Sequence, residues 1–196
     1  PGIGDRQLCM RHRYEWRALT YGDAFCLAAI TNYVKPSRIF EIGTFTGAST
    51  ILMAEQAGFG CRLFSLDLPP DGGELRLSGL ANDPPELDGT RIGERFRNSS
   101  YGSQIKQLYG DSASFDFTPY RNSIDLVFVD GSHSADYVRN DTIRALEMLS
   151  SRGTIVWDDC SPDFPGVVSV LGLFGARLPI KRIALTKLAI YTRYVM

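Results

Sequence analysis

Apolar positions along this chain follow two periods, short β-branched runs and stripes that recur every three or four residues. Phe25, Cys26, Ala29, Ile30, Tyr33 and Val34 recur at helical spacing and predict a helix from Thr20 to Val34, which Pro36 stops. A strand over 38–43 follows, then a helix over 47–57 ended by Gly58 and Gly60, then a strand over 61–66. Ile105–Tyr109 predicts another short strand. The run from Ile124 to Val129 is nearly all apolar, as a strand buried on both faces of a parallel sheet would be. Val138, Thr142, Ala145, Leu146 and Leu149 form a helical stripe that Gly153 closes, and Thr154–Trp157 is apolar again. Phe164–Leu178 reads as a helix, and 181–184 with 188–194 as a closing hairpin. Strands alternating with helices predict βαβ units and a doubly wound α/β sheet.

Two segments lack sustained periodicity. Residues 69–100 are rich in Gly, Pro, Asp and Arg, which predicts a functional or mobile loop, with Arg76, Arg91, Arg95 and Arg97 as substrate contacts or solvent-facing charges. Residues 1–19 are polar and carry Arg6, Arg11, His12, Arg13 and Arg17 around Tyr14 and Trp16. They read as an N-terminal arm or lid, or as a solvated surface segment, ahead of a domain over 20–196. The 196 residues suit one domain with a sizeable core. A net charge of −1 without a basic stripe argues against a nucleic-acid partner. Runs such as Leu185–Tyr191 are too short to cross a bilayer, and no secretory pattern opens the chain, so a cytoplasmic location is expected. The chain begins at Pro1, as a processed or excised piece would. Cys9, Cys26, Cys61 and Cys160 are scattered without a C-x-x-C pair, which disfavours a zinc ribbon or disulfide framework and suits reduced packing residues.

The chemistry gathers in two stretches. The first is Arg38–Thr50, where a strand carrying Glu41 runs through Gly43 and Gly47 into a helix. Such a turn lets a ligand lie on bare backbone at the carboxyl end of a strand. Its spacing, Gly43-x-x-x-Gly47 with Glu41 just ahead, is not the G-x-G-x-x-G of dinucleotide folds, which weighs against a nicotinamide-binding protein. About two dozen residues later Asp67 ends the next strand, where nucleoside-binding folds hold ribose hydroxyls with a carboxylate. The second stretch is Asp130-Gly131-Ser132-His133, a helix, and a strand ending in Asp158-Asp159. In a βαβ unit neighbouring strands lie roughly 4.8 Å apart, so these acids would converge on the edge facing the glycine turn. Carboxylates so close repel and raise a pKa unless a cation sits among them, and a hard divalent ion such as Mg²⁺ is the economical solution. His133, at the start of the following helix, could take a proton from a bound hydroxyl near neutral pH.

The string Glu41-Ile42-Gly43-Thr44-Phe45-Thr46-Gly47 resembles motif I of the class I S-adenosylmethionine-dependent methyltransferases, in their small-molecule O-methyltransferase branch. The resemblance spans roughly residues 20–194 and implies a Rossmann-like, seven-stranded mixed sheet with a reversed last strand. It implies S-adenosylmethionine lying across Glu41, Gly43, Thr44, Phe45, Gly47, Ser49, Asp67, Asp111, Ser112 and Asp130, with Glu41 meeting the methionine ammonium and Gly110-Asp111-Ser112 beside the adenine. Asp-Gly-x-His followed by an acid pair is similar to the metal-dependent macrolide-sugar O-methyltransferases. There Asp130, Asp158 and Asp159 would hold Mg²⁺ or another divalent cation and His133 would be the base. Relatives commonly read His-Asp where this chain has Asp158-Asp159, which puts the size of the metal shell in question. The expected acceptor is a hydroxyl of a sugar or other small molecule. A catechol-type phenolic enzyme and a cofactor-binding protein without catalysis are the alternatives, and a homo-oligomer is left open.

Overall fold

The computed structural model describes residues 19–72, 75–77 and 89–193, which form one seven-stranded sheet flanked by helices. In chain order the elements are α1 (Tyr21–Val34), β1 (Arg38–Ile42), α2 (Ala48–Ala57), β2 (Arg62–Asp67), α3 (Glu94–Arg97), β3 (Ile105–Tyr109), β4 (Ile124–Val129), α4 (Ala135–Met148), β5 (Leu149–Trp157), α5 (Pro165–Gly175), β6 (Lys181–Arg182) and β7 (Ala189–Thr192). The strand order is β3-β2-β1-β4-β5-β7-β6, parallel from β3 to β5, with β7 antiparallel to both neighbours. This is the doubly wound sheet with a reversed last strand that the sequence predicts.

Central strands are buried on both faces, which is why they read as continuous apolar runs. Phe40, Val127, Ile155 and Trp157 pack beneath Val138 and Ala145 of α4 and Val167 and Val170 of α5. Ile39, Leu126, Phe128 and Val156 face Leu27 and Ala28 of α1 and Leu52 and Met53 of α2. Trp157 belongs to this core, its Nε1–H donating to Thr142 Oγ1 at 3.0 Å. No described helix is long and apolar enough to cross a membrane.

Two expectations are corrected. The inward stripe of α1 is Ala24, Leu27, Ala28 and Thr31, while Phe25 and Tyr33 are exposed. These stand at i, i+3, i+4 and i+7, and the small Ala24, Ala28 and Thr31 let α1 lie close against α2. Gly153 does not close α4; β5 begins at Leu149 and runs through it. The pairing of β4 with β5 shifts register between Ile124 and Leu126, and a Cβ at Gly153 would lie 2.5 Å from Leu149 Cδ2 and 2.9 Å from the Ile124 carbonyl. A glycine is needed there for close approach within an irregular strand. The other end of α1 is closed by Lys35, in the left-handed conformation, one residue before Pro36. Of the expected arm, Leu19 is buried and residues 1–18, with His12 and Cys9, lie outside the described residues, as does Tyr194 of the hairpin.

The strand ends are stitched together at the carboxyl edge. The Gly43 N–H donates to the Leu66 carbonyl, Asp130 N–H to that of Ile42, and Asp158 N–H to that of Val129, at 2.8, 2.8 and 3.0 Å. Gly43 has φ +98°, and a Cβ there would stand 1.9 Å from the Asp130 carbonyl oxygen. Gly43→Ala is therefore expected to destabilise the fold by about 3 kcal/mol or more, from backbone strain plus the clash. Equilibrium denaturation checks this, and a loss below about 1 kcal/mol would mean that β1 and β4 separate easily.

Candidate active site

Each site residue sits on a strand end or the turn just beyond it. The first turn runs from Gly43 to Gly47, both at positive φ, with Phe45 also left-handed at φ +47°. Its Thr44 and Phe45 N–H groups donate to Asp67 Oδ2 at 2.9 and 2.8 Å, and Leu68 N–H donates to Oδ1 at 2.8 Å. Asp67 thus binds the turn itself. Burial raises its pKa, and the three amides partly offset this. A Cβ at Gly47 would meet the ring of Phe96 at 2.6 Å, so α3 closes over the outside of the turn.

Glu41 is fully buried, and its carboxylate faces into the protein. Ser49 Oγ donates to Oε1 at 2.6 Å, and Thr50 Oγ1 and Ser65 Oγ donate to Oε2, each at 2.5 Å. Burial pushes its pKa up to about 7 despite the three hydroxyls. Since Ser65 gives its proton to Glu41, Thr44 Oγ1 is the donor in its 2.6 Å contact with Ser65, and Gln107 Nε2 donates to Thr44 at 2.9 Å. Glu41, with Ser49, Thr50 and Ser65, therefore ties β1, β2 and α2 together from below the turn.

Asp111 and Ser112 are buried beyond β3. Asp111 Oδ1 accepts from Ala113 N–H at 3.0 Å, the pattern of an Asx turn. Its Oδ2 accepts from Arg76 N–H at 2.9 Å. Leu77 N–H lies 3.4 Å from the Tyr137 hydroxyl, so the short described piece of the long loop crosses this end of the cleft. Behind it Asp141, unremarked in the sequence, is buried against Gly131 and Asn140, and burial raises its pKa to about 6. Two of the loop arginines are engaged locally, Arg91 with Glu94 and Arg97 with the Ile92 carbonyl.

The second stretch converges as expected. Val129 pairs with Trp157, so Asp130 and the Asp158-Asp159 pair project from neighbouring strand ends. One oxygen from each of the three lies within 4.8 Å of the others. Asp158 Oδ1 accepts from Asp159 N–H at 2.7 Å. Asp159 is left-handed at φ +55°, which an aspartate tolerates better than most residues. Its Oδ2 lies 2.9 Å from His133 Nε2, and its Oδ1 accepts from Lys187 Nζ at 2.5 Å. Among the described residues no hydrogen bond reaches the Asp130 carboxylate. Burial and then the neighbouring charges of Asp158, Asp159 and Glu41 push its pKa well above the usual range. Asp158 rises to about 7 for the same reasons, burial first and Asp159 second. Asp159 falls below its ordinary value, because His133 and Lys187 outweigh its burial. Ser134 caps α4, its side chain accepting from Tyr137 N–H, and the His133 ring packs on Phe164 with centroids 4.4 Å apart.

Lys187 was reachable from the pattern of the last strand. Trp157 pairs with Ala189 in the antiparallel ladder, and continuing that register by two residues sets Lys187 opposite Asp159.

A methyltransferase-domain family model matches residues 40–160. No curated protein matches the sequence. The fold is similar to that of cofactor-bound Rv0187 from MTB, with TM-score 0.69, 17% identity, and 92% of this chain and 84% of that chain covered. It is similar to the O-methyltransferase TomG from Streptomyces achromogenes, involved in tomaymycin synthesis and in complex with SAM, with TM-score 0.66, 17% identity and coverage of 89% and 81%. The O-methyltransferase from Bacillus cereus in complex with SAH has TM-score 0.65, 14% identity and coverage of 93% and 84%.

Glu41 supplies a test of this geometry. An acid whose folded pKa stands near 7 makes a contribution that is complete below its unfolded pKa and lost as pH rises through about 7. Glu41→Gln removes that dependence. Relative to wild type, the variant should gain about 3 kcal/mol between pH 4.5 and pH 8, measured by urea denaturation at each pH. A difference that stays flat across this range would mean that Glu41 is ionised in the fold throughout.

Proposed function

The chain belongs to the methyltransferase-domain family matched by residues 40–160, and from that premise we propose an S-adenosylmethionine-dependent, divalent-metal-assisted O-methyltransferase acting on a sugar or other small molecule. The observation that carries this reading is the Asp130 carboxylate, which no described hydrogen bond reaches, beside Asp158 and Asp159 at the strand ends next to the glycine turn. SAM and SAH in the TomG and Bacillus cereus structures support the donor.

The residues fit both groups. Three hard oxygen donors suit a divalent ion, whose octahedral ligands at about 2.1 Å stand about 3–4 Å apart, so a spread of 4.8 Å needs only a modest contraction. The turn from Gly43 to Gly47 is pinned by Asp67 through the Thr44 and Phe45 amides, and Asp67, Asp111 and Ser112 line the way to the nucleoside end. When bound, the sulfonium supplies the methyl group, and the cation supplies charge that lowers the pKa of the acceptor hydroxyl.

The chain's own residues do the rest by alignment and proton transfer. Asp159 holds His133 through Nε2, and the tautomer that donates Nε2–H to Asp159 carries its lone pair on Nδ1. His133 takes the hydroxyl proton at Nδ1, and Asp159 stabilises the imidazolium that results. Phe164 holds the ring's plane from one side. Asp67 fixes the turn against which the donor lies, and its two oxygens are the ones placed to accept from ribose hydroxyls. Glu41 acts from below by fixing the turn, with its oxygens already filled by hydroxyls.

The test is methyl transfer from S-adenosylmethionine to panels of glycosylated and catechol-like acceptors, with and without chelator. Turnover on glycosylated acceptors that chelator abolishes is expected. His133→Ala should lower kcat by about 10²–10⁴ while leaving donor affinity near wild type. Asp130→Asn should abolish metal binding along with turnover. Chelator-resistant turnover would overturn the metal role, and donor binding without transfer to any acceptor would leave a cofactor-binding protein without catalysis.

A further inference from the structure

The chemistry proposed above does not use Lys187, yet its ammonium stands inside the acid cluster, 2.5 Å from Asp159 Oδ1. Both oxygens of Asp159 are engaged, Oδ2 with His133 and Oδ1 with Lys187. Each Asp159 oxygen keeps a second lone pair, but a divalent ion joining it to Asp130 and Asp158 would share the carboxylate with whichever positive group stays on it. Giving up His133 would lose the contact that orients the imidazole, whereas Lys187 can withdraw.

The local structure makes that withdrawal a side-chain event. The Lys187 backbone is anchored on both sides, its N–H donating to Asp23 Oδ1 at 2.8 Å and its carbonyl accepting from Cys160 N–H at 2.7 Å. Asp23 is itself fully buried and held by Thr20 at the start of α1. The aliphatic stem beyond that anchor is partly exposed, so the ammonium can swing without moving the strand. It also has a second station on hand, the face of Phe164, whose ring centre lies 5.3 Å from Nζ. A dication and an ammonium on one carboxylate would repel across a few ångströms of protein.

We propose that Lys187 is a built-in counter-cation that competes with the divalent ion for Asp159, filling the site when metal is away and yielding Oδ1 when metal binds. This rests on the divalent-ion reading of the site. It adds that divalent affinity is set by an exchange of one positive charge for another, so the free site does not hold three opposed carboxylates.

Mn²⁺ titration of the full chain, followed by electron paramagnetic resonance, tests the competition without any methyl transfer. Lys187→Met keeps the length and packing of the side chain and removes its charge, and Lys187→Gln does so with a polar end; circular dichroism and thermal melting confirm that each is folded. Both are expected to bind Mn²⁺ about tenfold more tightly than wild type or better, while Lys187→Arg is expected to show no such gain. Wild-type crystals soaked in Mn²⁺ should show Nζ moved off Asp159. Equal or weaker Mn²⁺ binding by folded Lys187→Met and Lys187→Gln would overturn the competition and leave the metal reading standing. Absence of Mn²⁺ binding by wild type and variants alike would overturn both.

Discussion

Carboxylates crowded at one rim of a parallel sheet are the constraint around which the rest of this protein is arranged. Topology forces the crowding, because β1, β2, β4 and β5 run the same way and deliver their last residues to one edge. Each acid then meets a different counterweight. Glu41 takes hydroxyl protons, Asp67 and Asp111 take backbone N–H groups, and Asp159 takes an imidazole and an ammonium. Asp130 receives none of these among the described residues, and Asp158 receives only the amide of its neighbour. Asp130, which is partly exposed, and Asp158 are thus the acids of this rim with the fewest partners among the described residues, and the crowding of charge falls on them most.

Glu41 shows how much of the turn's shape is built from below. A directed series of protons runs from Gln107 through Thr44 and Ser65 to Glu41, and every step is a contact of 2.9 Å or less. The series fixes which way each hydroxyl points and so links β3, β2 and β1 behind the glycine turn. This directed series belongs to the ionised carboxylate, and burial works against that form by raising the Glu41 pKa to about 7.

Strand-helix alternation and the glycine turn made the fold legible, and the acids Asp130, Asp158 and Asp159 were legible because their positions depend only on strand length and parallel pairing. The facing of Glu41 was not. A strand residue's side depends on parity within a sheet buried on both faces, and there the apolar pattern carries no alternation to read. The α1 stripe went to Phe25 and Tyr33 because large aromatics dominate a hydrophobic pattern, whereas close helix packing selected Ala24 and Ala28. Gly153 resembled a helix stop because nothing in its neighbours announces a register shift. Lys187 lay between the two expected hairpin strands, 181–184 and 188–194, and its place emerges only when the antiparallel register is counted out to Asp159.

The pinch at the base of the long excursion carries its own consequence. Gly89 abuts Pro70 so tightly that a Cβ would fall 2.2 Å from the Pro70 carbonyl, which brings the two ends of the intervening chain together. A loop whose ends already meet is nearly indifferent to its own length, since doubling it adds only about 0.6 kcal/mol of closure entropy. Arg76 is tied back to Asp111 between those two anchors, so a change of length between Leu77 and Gly89 that keeps this tie would cost the rim of acids little.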